Sequence, residues 1–169
     1  SPYAASKASS DLLCLSYINT FNSNISITRC CNNYGPNQHS EKFIPTIINS
    51  LSKGKKVPVY GEGLNIREWI HVYDHNLAVW SVATHGKPGV YNIGSGYELT
   101  NIELVDKICK VMGKDLDKSV RFVEDRLGHD FRYSIDCEKI KNELFYEPLY
   151  NDFEDQLVKL VEIYSKNED

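Results

Sequence analysis

The chain has 169 residues, of which 41% are hydrophobic and 25% charged, and its formal net charge is −4. A chain of this length and composition can bury a hydrophobic core. Its lysines and arginines alternate with acidic residues and form no basic block, which argues against a nucleic-acid partner. It has no apolar run near the roughly 18 residues of a membrane span, no signal-peptide pattern at its start and no CxxC pair among its cysteines. We therefore expect no membrane partner and a cytoplasmic location.

The predicted elements begin with a helix. Pro2 in the first turn, followed by small and then apolar residues, predicts an amphipathic helix that ends near Phe21. A strand at 25–30, a polar turn at 32–36 and a second helix at 42–51 follow. Together these segments form one α/β unit.

The alternation of strands and helices continues to the carboxyl end. Thr100 and Glu103 form a capping box before a helix, and Asp74, Asp136 and Asp152 can each cap another helix. Further strands are predicted at 57–60, 67–72, 90–93 and 120–123. This order predicts an α/β fold with at least partly parallel strand pairing.

Tyr3 and Lys7 have a spacing that suits acid/base chemistry. On a helix, side chains four residues apart leave the same face. A phenol is a poor base at neutral pH, but a nearby ammonium group favours its deprotonated form, so Tyr3 could take a proton from a substrate hydroxyl. Such a pair alone is more often a solvated surface feature. Whether the pair indicates catalysis depends on the segments that follow.

Several segments resemble the nucleotide-sugar 4,6-dehydratase family, within the extended short-chain dehydrogenases/reductases, in order and approximate spacing. They are residues 1–10, 29–36, 41–42, 67–72, 91–94 and 125–133. The resemblance covers essentially the whole chain. Asn-Asn-Tyr-Gly-Pro with Glu-Lys, and Gly-His-Asp-x-Arg-Tyr, favour the dehydratases over the epimerases and decarboxylases of the wider family.

The resemblance implies a fold and a division into domains. The chain would be the carboxy-terminal part of an NAD(P)-binding Rossmann-type sheet plus a smaller α/β nucleotide-sugar-binding domain. Residues 1–36 would be the tail of the Rossmann-type domain. Residues 37–169 would be mainly the nucleotide-sugar-binding domain, with about 67–93 returning to the Rossmann part. A homodimer formed through the helix that bears Tyr3 and Lys7 is also implied.

The resemblance also implies an activity for the complete enzyme. The tyrosine at the position of Tyr3 removes the proton of the sugar 4-hydroxyl while hydride passes from carbon 4 to NAD, and the lysine at Lys7 binds the nicotinamide ribose. Water is then eliminated across carbons 5 and 6, and the hydride returns to carbon 6. A nucleotide-diphospho-glucose, with dTDP-glucose favoured, would become a 4-keto-6-deoxy sugar nucleotide.

The implied binding residues follow from the same segments. Asn33 would contact the cofactor. Arginine and lysine suit a diphosphate because they supply charge-assisted hydrogen bonds. The implied substrate-binding residues are Asn32, Lys42, Phe43, Pro58, Val59, Tyr60, Arg67, Asn92, Asp125, Arg126 and His129.

A glycine-rich dinucleotide loop is not found in the sequence. Residues 61–66 and 94–99 each lack the third glycine of that motif, and we interpret the second segment as a turn. In the family, the acidic pair used for dehydration lies upstream of the tyrosine motif. We therefore expect this chain alone to bind no NAD and to be inactive unless a partner polypeptide supplies that half.

Alternative interpretations stay open. A UDP-glucuronate decarboxylase or a nucleotide-sugar epimerase of the same family would share Tyr3 and Lys7. A non-catalytic module could keep the nucleotide-sugar pocket without chemistry. A metal site at His71 and His75 is disfavoured, because HExxH would need glutamate at Val72 and a strand-to-helix turn breaks the helical register.

Overall fold

The computed structural model describes residues 1–125 and 127–166. Helices and strands alternate along the chain, which confirms the α/β prediction. The elements are α1 (Pro2–Phe21), β1 (Ser26–Cys30), β2 (Asn32–Tyr34), α2 (Phe43–Ser52), β3 (Val57–Tyr60), β4 (Ile66–His71), α3 (Val72–His85), β5 (Gly89–Ile93), β6 (Glu98–Thr100), α4 (Asn101–Val111), α5 (Leu116–Ser119), β7 (Val120–Val123), β8 (Arg132–Tyr133), α6 (Glu138–Leu144) and α7 (Phe153–Lys166).

Parallel pairing dominates the sheets. β1 pairs with β5, β2 with β4 and β3 with β7, all in parallel. β4 also pairs in parallel with β8 and antiparallel with β6. The prediction of partly parallel sheets is therefore confirmed.

Two hydrophobic clusters form the interior, and β4 contributes to both. Trp69 belongs to the first cluster, with helices α2, α4 and α7 and strands β3 and β7. Ile70 belongs to the second, with β5, α3 and α6. Successive residues of a strand point to opposite faces, so one strand can supply both clusters.

Helix α1 differs from the other long helices because none of its side chains is buried against the described part of the chain. Its predicted bounds are confirmed, and the Ser1 hydroxyl caps it by accepting the Ala4 N–H. Leu12 and Leu13 are both exposed. At about 100° per residue, the apolar residues at 12, 13, 15, 18 and 21 are spread around the whole helix, so they do not form the single predicted stripe. An ion pair of 2.6 Å between Asp11 and Arg29 connects α1 to β1.

Some local predictions were wrong. The predicted polar turn at 32–36 begins as strand β2, because Asn32, Asn33 and Tyr34 pair with β4. Strand β4 ends at His71, and α3 begins one residue later with the His71 side chain as its cap. Asp74 lies inside that first turn. Its buried carboxylate accepts the N–H groups of Leu149 and Tyr150, so a long-range partner takes the place of the predicted cap.

The remaining caps agree better with the sequence. Thr100 and Glu103 form the predicted capping box of α4. Asp152 accepts the Asp155 N–H in the first turn of α7. Asp136 accepts the Glu138 N–H at the start of α6, although the cap position itself is Cys137. Strands β6 and β8 and the short helix α5 were not predicted.

Candidate functional site

A cavity of about 600 Å³ lies between the amino end of α2, strands β2, β3 and β4 and the amino end of α4. Its size is within the usual range for small-molecule sites. Many of the sequence-predicted residues meet there. The lining residues are Asn32, Asn33, Gln38, Glu41, Lys42, Phe43, Thr46, Pro58, Tyr60, Arg67, Trp69, Asn101 and His129.

Strand β3 places alternate side chains in the cavity wall. Pro58 and Tyr60 line the cavity, whereas Val59 is fully buried in the first hydrophobic cluster. The period-two alternation of a strand accounts for this difference. Val59 therefore does not line the cavity, contrary to its predicted place among the substrate contacts.

Asn92 is a second correction. It lies on β5 opposite Arg29, and its side chain donates to the Asp136 carbonyl at 2.9 Å instead of lining the cavity. Asn101 lines the cavity in its place. Asn101 is the first residue of α4 and directly follows the Thr100 cap. The capping box therefore carried the missed signal, because a helix amino terminus favours anionic ligands.

Cations and an imidazole occupy the cavity wall. Arg67 donates to the main-chain carbonyls of Ile66 and Asp130 at 2.6 and 2.8 Å, which fixes the guanidinium. Lys42 occupies the cap position of α2. Arginine and lysine at such positions can form charge-assisted hydrogen bonds to an anion such as a diphosphate.

The His129 imidazole contacts the Asp125 carboxylate. The His129 side chain is 5% exposed, and its Nδ1 lies 2.6 Å from Asp125 Oδ1. The Tyr60 ring meets the imidazole edge-on, with centroids 6.1 Å apart. Asp125 itself is not among the lining residues, so it can act on a ligand through His129. Arg126, also predicted to bind substrate, lies outside the described residues.

Among residues 1–125 and 127–166, three buried polar atoms lack a hydrogen-bond partner, and all three belong to residues of the cavity wall. They are Asn33 Oδ1, Gln38 Oε1 and Trp69 Nε1. A buried polar group without a partner costs about 1–3 kcal/mol, and such groups in native structures often have a functional explanation. Their concentration around one cavity supports a ligand-binding role for it.

Sequence reasoning missed several of these lining residues. Trp69 lies two residues after Arg67 on β4, so strand alternation could have indicated it. Glu41 was part of the quoted Glu-Lys pair without a predicted role, and Thr46 lies about one helical turn beyond Lys42. Gln38 had no local signal.

Tyr3 and Lys7 are exposed on α1 and do not line the cavity. Tyr3 is 74% exposed. It lies near enough to Tyr133 to help raise the pKa of that phenol, although burial is the largest cause of the shift. Tyr133 in turn donates to the Cys30 carbonyl at the end of β1. The catalytic role of Tyr3 stays a prediction.

The loop between β5 and β6 agrees with the turn interpretation. The N–H groups of Ser95 and Gly96 both donate to Glu68 Oε1 at 2.8 Å. Glu68 is fully buried, and a Cβ on Gly94 would collide with its carboxylate. These amides already bind an internal anion, so they do not offer a phosphate site.

The described residues contain neither a cluster of metal ligands nor a helix that could cross a membrane. Across residues 1–125 and 127–166, no group of three or more histidines, cysteines or acidic residues could hold a metal ion. His71 instead stacks on Tyr150, with centroids 4.2 Å apart, and burial lowers the pKa of its imidazole. Within the same ranges, no helix is long and apolar enough to cross a membrane.

Comparison with known proteins gives consistent matches. Residues 1–94 match the model of the NAD dependent epimerase/dehydratase family. A dTDP-glucose 4,6-dehydratase from Streptomyces antibioticus is 49% identical over 168 residues, covering 99% of this chain and 50% of that protein. A crystal structure of dTDP-glucose 4,6-dehydratase from Bacillus anthracis, in complex with NAD, is 47% identical with a TM-score of 0.93. That match covers 99% of this chain and 53% of the other.

A more distant solved structure shares the fold. UDP-glucose 4-epimerase from Thermotoga maritima, with UDP-glucose, is 24% identical with a TM-score of 0.90, covering 99% of this chain and 54% of that one. The chain spans about half the length of the curated relatives it matches. These matches confirm the resemblance and the Rossmann-type α/β fold class. Because the family model covers more than half of the sequence, the chain belongs to the NAD dependent epimerase/dehydratase family.

Proposed function

We propose that the complete enzyme is an NAD-dependent hydro-lyase that converts dTDP-glucose to its 4-keto-6-deoxy product, and that this chain supplies the nucleotide-sugar pocket and the Tyr3–Lys7 pair. The observation that carries the proposal is the 600 Å³ cavity, because it brings predicted residues from separate segments into one wall. The identity of 49% to a dTDP-glucose 4,6-dehydratase over 99% of this chain supports the same substrate class.

The residues of the cavity suit a nucleoside diphosphate. In this proposal Arg67 and Lys42 bind the diphosphate, and Asn101 adds the amino end of α4 to the anion site. Asn32 contacts the substrate from the start of β2. His129, positioned by Asp125, contacts the ligand beside the Tyr60 ring. Phe43 and Pro58 supply apolar wall.

The residues that would meet NAD are Tyr3, Lys7 and Asn33. Asn33 fits this role because its buried carboxamide oxygen has no partner and can accept a hydrogen bond from a ligand. Bound NAD would supply the hydride acceptor of the reaction. In this proposal Lys7 stabilises the deprotonated phenol and Tyr3 accepts the proton of the sugar 4-hydroxyl. The amides of the β5–β6 loop already donate to Glu68, so we expect this chain alone to bind no NAD and to show no turnover.

Titration calorimetry of the chain with dTDP, UDP and NAD tests the proposal. We expect dTDP to bind in the micromolar range or better and NAD not to bind measurably. A preference for UDP over dTDP would favour the epimerase or decarboxylase alternative. The absence of binding by either nucleotide would contradict the proposed role of the cavity.

A non-catalytic nucleotide-sugar-binding module is the second candidate. The observation that favours it is that the cavity forms within this chain, whereas Tyr3 and Lys7 are exposed. Supplying the amino-terminal half of a relative in trans, with dTDP-glucose and NAD, separates the two candidates. Formation of the 4-keto product supports the enzyme, and binding without product supports the module.

The assembly and location follow as parts of the same proposal. The exposed apolar residues of α1, among them Leu12, Leu13 and Tyr17, support a homodimer through that helix. The two hydrophobic clusters support a division into a Rossmann-type part and a nucleotide-sugar-binding part, with Ile140 and Tyr146 of the segment after β8 packing on the Rossmann-type part. All five cysteines are free, which suits the cytoplasm.

A further inference from the structure

The loop at residues 35–38 connects β2 to the segment that leads into α2. It follows β2, which contains Asn32 and Asn33, and it ends at Gln38, and all three of these residues line the cavity. Asn37 within it has a positive φ of 62°, which few residues other than glycine and asparagine adopt readily. The loop therefore holds an unusual backbone shape beside the ligand-binding wall.

A single hydroxyl group from the carboxyl-terminal helix holds this loop. Tyr164 Oη on α7 accepts the Gln38 N–H at 2.7 Å and donates to the Gly35 carbonyl at 2.9 Å. Tyr164 is 8% exposed and packs in the first hydrophobic cluster. Burial raises the pKa of its phenol, so the hydroxyl stays protonated and can donate and accept at once.

The Gln38 side chain connects the loop to the cavity wall by a hydrogen bond. Its Nε2 donates to the Asn33 carbonyl at 2.9 Å, while its Oε1 is buried without a partner. A continuous series of hydrogen bonds thus runs from α7 through the loop to Asn33. The series joins residues that are far apart in the sequence, since Tyr164 and Gln38 are separated by 126 positions.

We propose that Tyr164 is a positioning residue of the ligand cavity: by fixing the 35–38 loop, it sets the geometry with which Gln38 meets the bound nucleotide sugar and Asn33 meets the cofactor. The proposal rests on the proposed function of the cavity. Tyr164 does not line the cavity, so it acts through Gln38. Loss of the hydroxyl should leave the fold in place and loosen the loop.

The test compares Tyr164→Phe with the wild-type chain by dTDP calorimetry and by amide hydrogen exchange of Gln38 in the ligand-free protein. Two neutral hydrogen bonds are lost, so we expect dTDP affinity to fall about fivefold to tenfold and Gln38 exchange to accelerate by a similar factor or more. Tyr146→Phe is the matched control. Its buried hydroxyl donates to the Gly94 carbonyl at 3.1 Å, away from the loop.

We expect Tyr146→Phe to leave both the dTDP affinity and the Gln38 exchange unchanged. Equal weakening by both variants would overturn the proposal, because the effect would then be one of general stability. Unchanged Gln38 exchange in Tyr164→Phe would overturn it as well. If the wild-type chain bound no dTDP, the proposed function would fail, and the Gln38 exchange would still decide whether Tyr164 holds the loop.

A second variant keeps the test decisive if Tyr164→Phe does not fold. Gln38→Ala retains the two main-chain bonds to Tyr164 and removes the link to Asn33. It should weaken dTDP binding to a similar degree, with a shifted Asn33 amide signal in the NMR spectrum. An unshifted Asn33 signal together with wild-type affinity would contradict the proposal.

Discussion

Helix α1 and the helices of the first hydrophobic cluster differ in how much of their surface they bury against the rest of the chain. α1 carries Tyr3 and Lys7 and buries no side chain against the described residues. Helices α2, α4 and α7 bury residues such as Ile47, Leu104 and Leu157 completely. A helix without a buried face has little beyond intrinsic propensity to stabilise it. The cavity proposed to bind the nucleotide sugar is therefore supported from within the chain, whereas the helix proposed to carry the chemistry is not.

A pair of leucine truncations tests this comparison most strongly. Leu157→Ala in α7 removes a fully buried side chain and should lower the free energy of unfolding by about 2–5 kcal/mol. Leu12→Ala in α1, where the side chain is 66% exposed, should change it by about 0.5 kcal/mol or less. Urea unfolding followed by circular dichroism measures both. A comparable loss for Leu12→Ala would show that α1 is packed in solution and would break the comparison.

Glu68 on β4, the strand that contributes to both clusters, allows the same comparison of a buried group with one nearer the surface. Its carboxylate accepts hydrogen bonds from Ser95, Gly96, Ser134 and Ile135. Glu68→Gln replaces one acceptor oxygen by an amide donor that faces other donors. We expect a loss of about 2–3 kcal/mol in the free energy of unfolding, because buried charge-assisted hydrogen bonds are replaced by an unsatisfied contact.

The control for Glu68 is its antiparallel neighbour on β6. Glu98 lies opposite Glu68 in register and forms an ion pair with Arg132 near the surface. Glu98→Gln should cost much less, since exposed ion pairs contribute little. Equal losses in the two variants would show that burial of the Glu68 carboxylate is not what matters.

Variants of Arg67 and Arg29 test whether dTDP binding is independent of α1. Arg67→Ala should weaken dTDP binding by about tenfold or more, since a charge-assisted contact to a diphosphate is lost. Arg29→Ala removes the ion pair to Asp11 that connects α1 to β1. It should leave dTDP affinity within about twofold, because Arg29 does not line the cavity. Calorimetry of both variants measures the difference, and a large effect of Arg29→Ala would show that α1 supports the cavity after all.

The sequence predicted the elements better than the site geometry, and particular residues explain why. Strands β3 and β7 were predicted to the residue, because their signal is local alternation. Asn92 was predicted to bind substrate but does not line the cavity, because it lies on β5, paired with β1, and its side chain donates to the Asp136 carbonyl. Gln38 was missed for a similar reason, since a hydroxyl 126 positions away fixes its loop. Tertiary contacts of this kind leave no local pattern in the sequence.

The smallest expected effect concerns the ion pair between Lys107 of α4 and Glu154 of α7, at the edge of the first cluster. The hydrogen bond from Lys107 holds the pKa of Glu154 below its ordinary value of 4.5. A carboxyl group with a lowered pKa in the folded state stabilises the fold above its unfolded pKa, and this stability is lost as the pH falls below that value. Both side chains are partly exposed, so the contribution at pH 7 should be about 0.5 kcal/mol.

Urea unfolding of the wild-type chain and of Glu154→Gln at pH 7 and pH 3.5 measures this contribution. The two proteins should differ at pH 7 and converge at pH 3.5, because the wild-type carboxyl group is increasingly protonated there. Asp155→Asn, which removes an ion pair to Lys159 within α7 alone, is the control. If contacts between helices stabilise the first cluster, Glu154→Gln should lower the free energy of unfolding at pH 7 by more than Asp155→Asn does. A difference that persists unchanged at pH 3.5 would mean that packing of Glu154, and not its charge, joins α4 to α7.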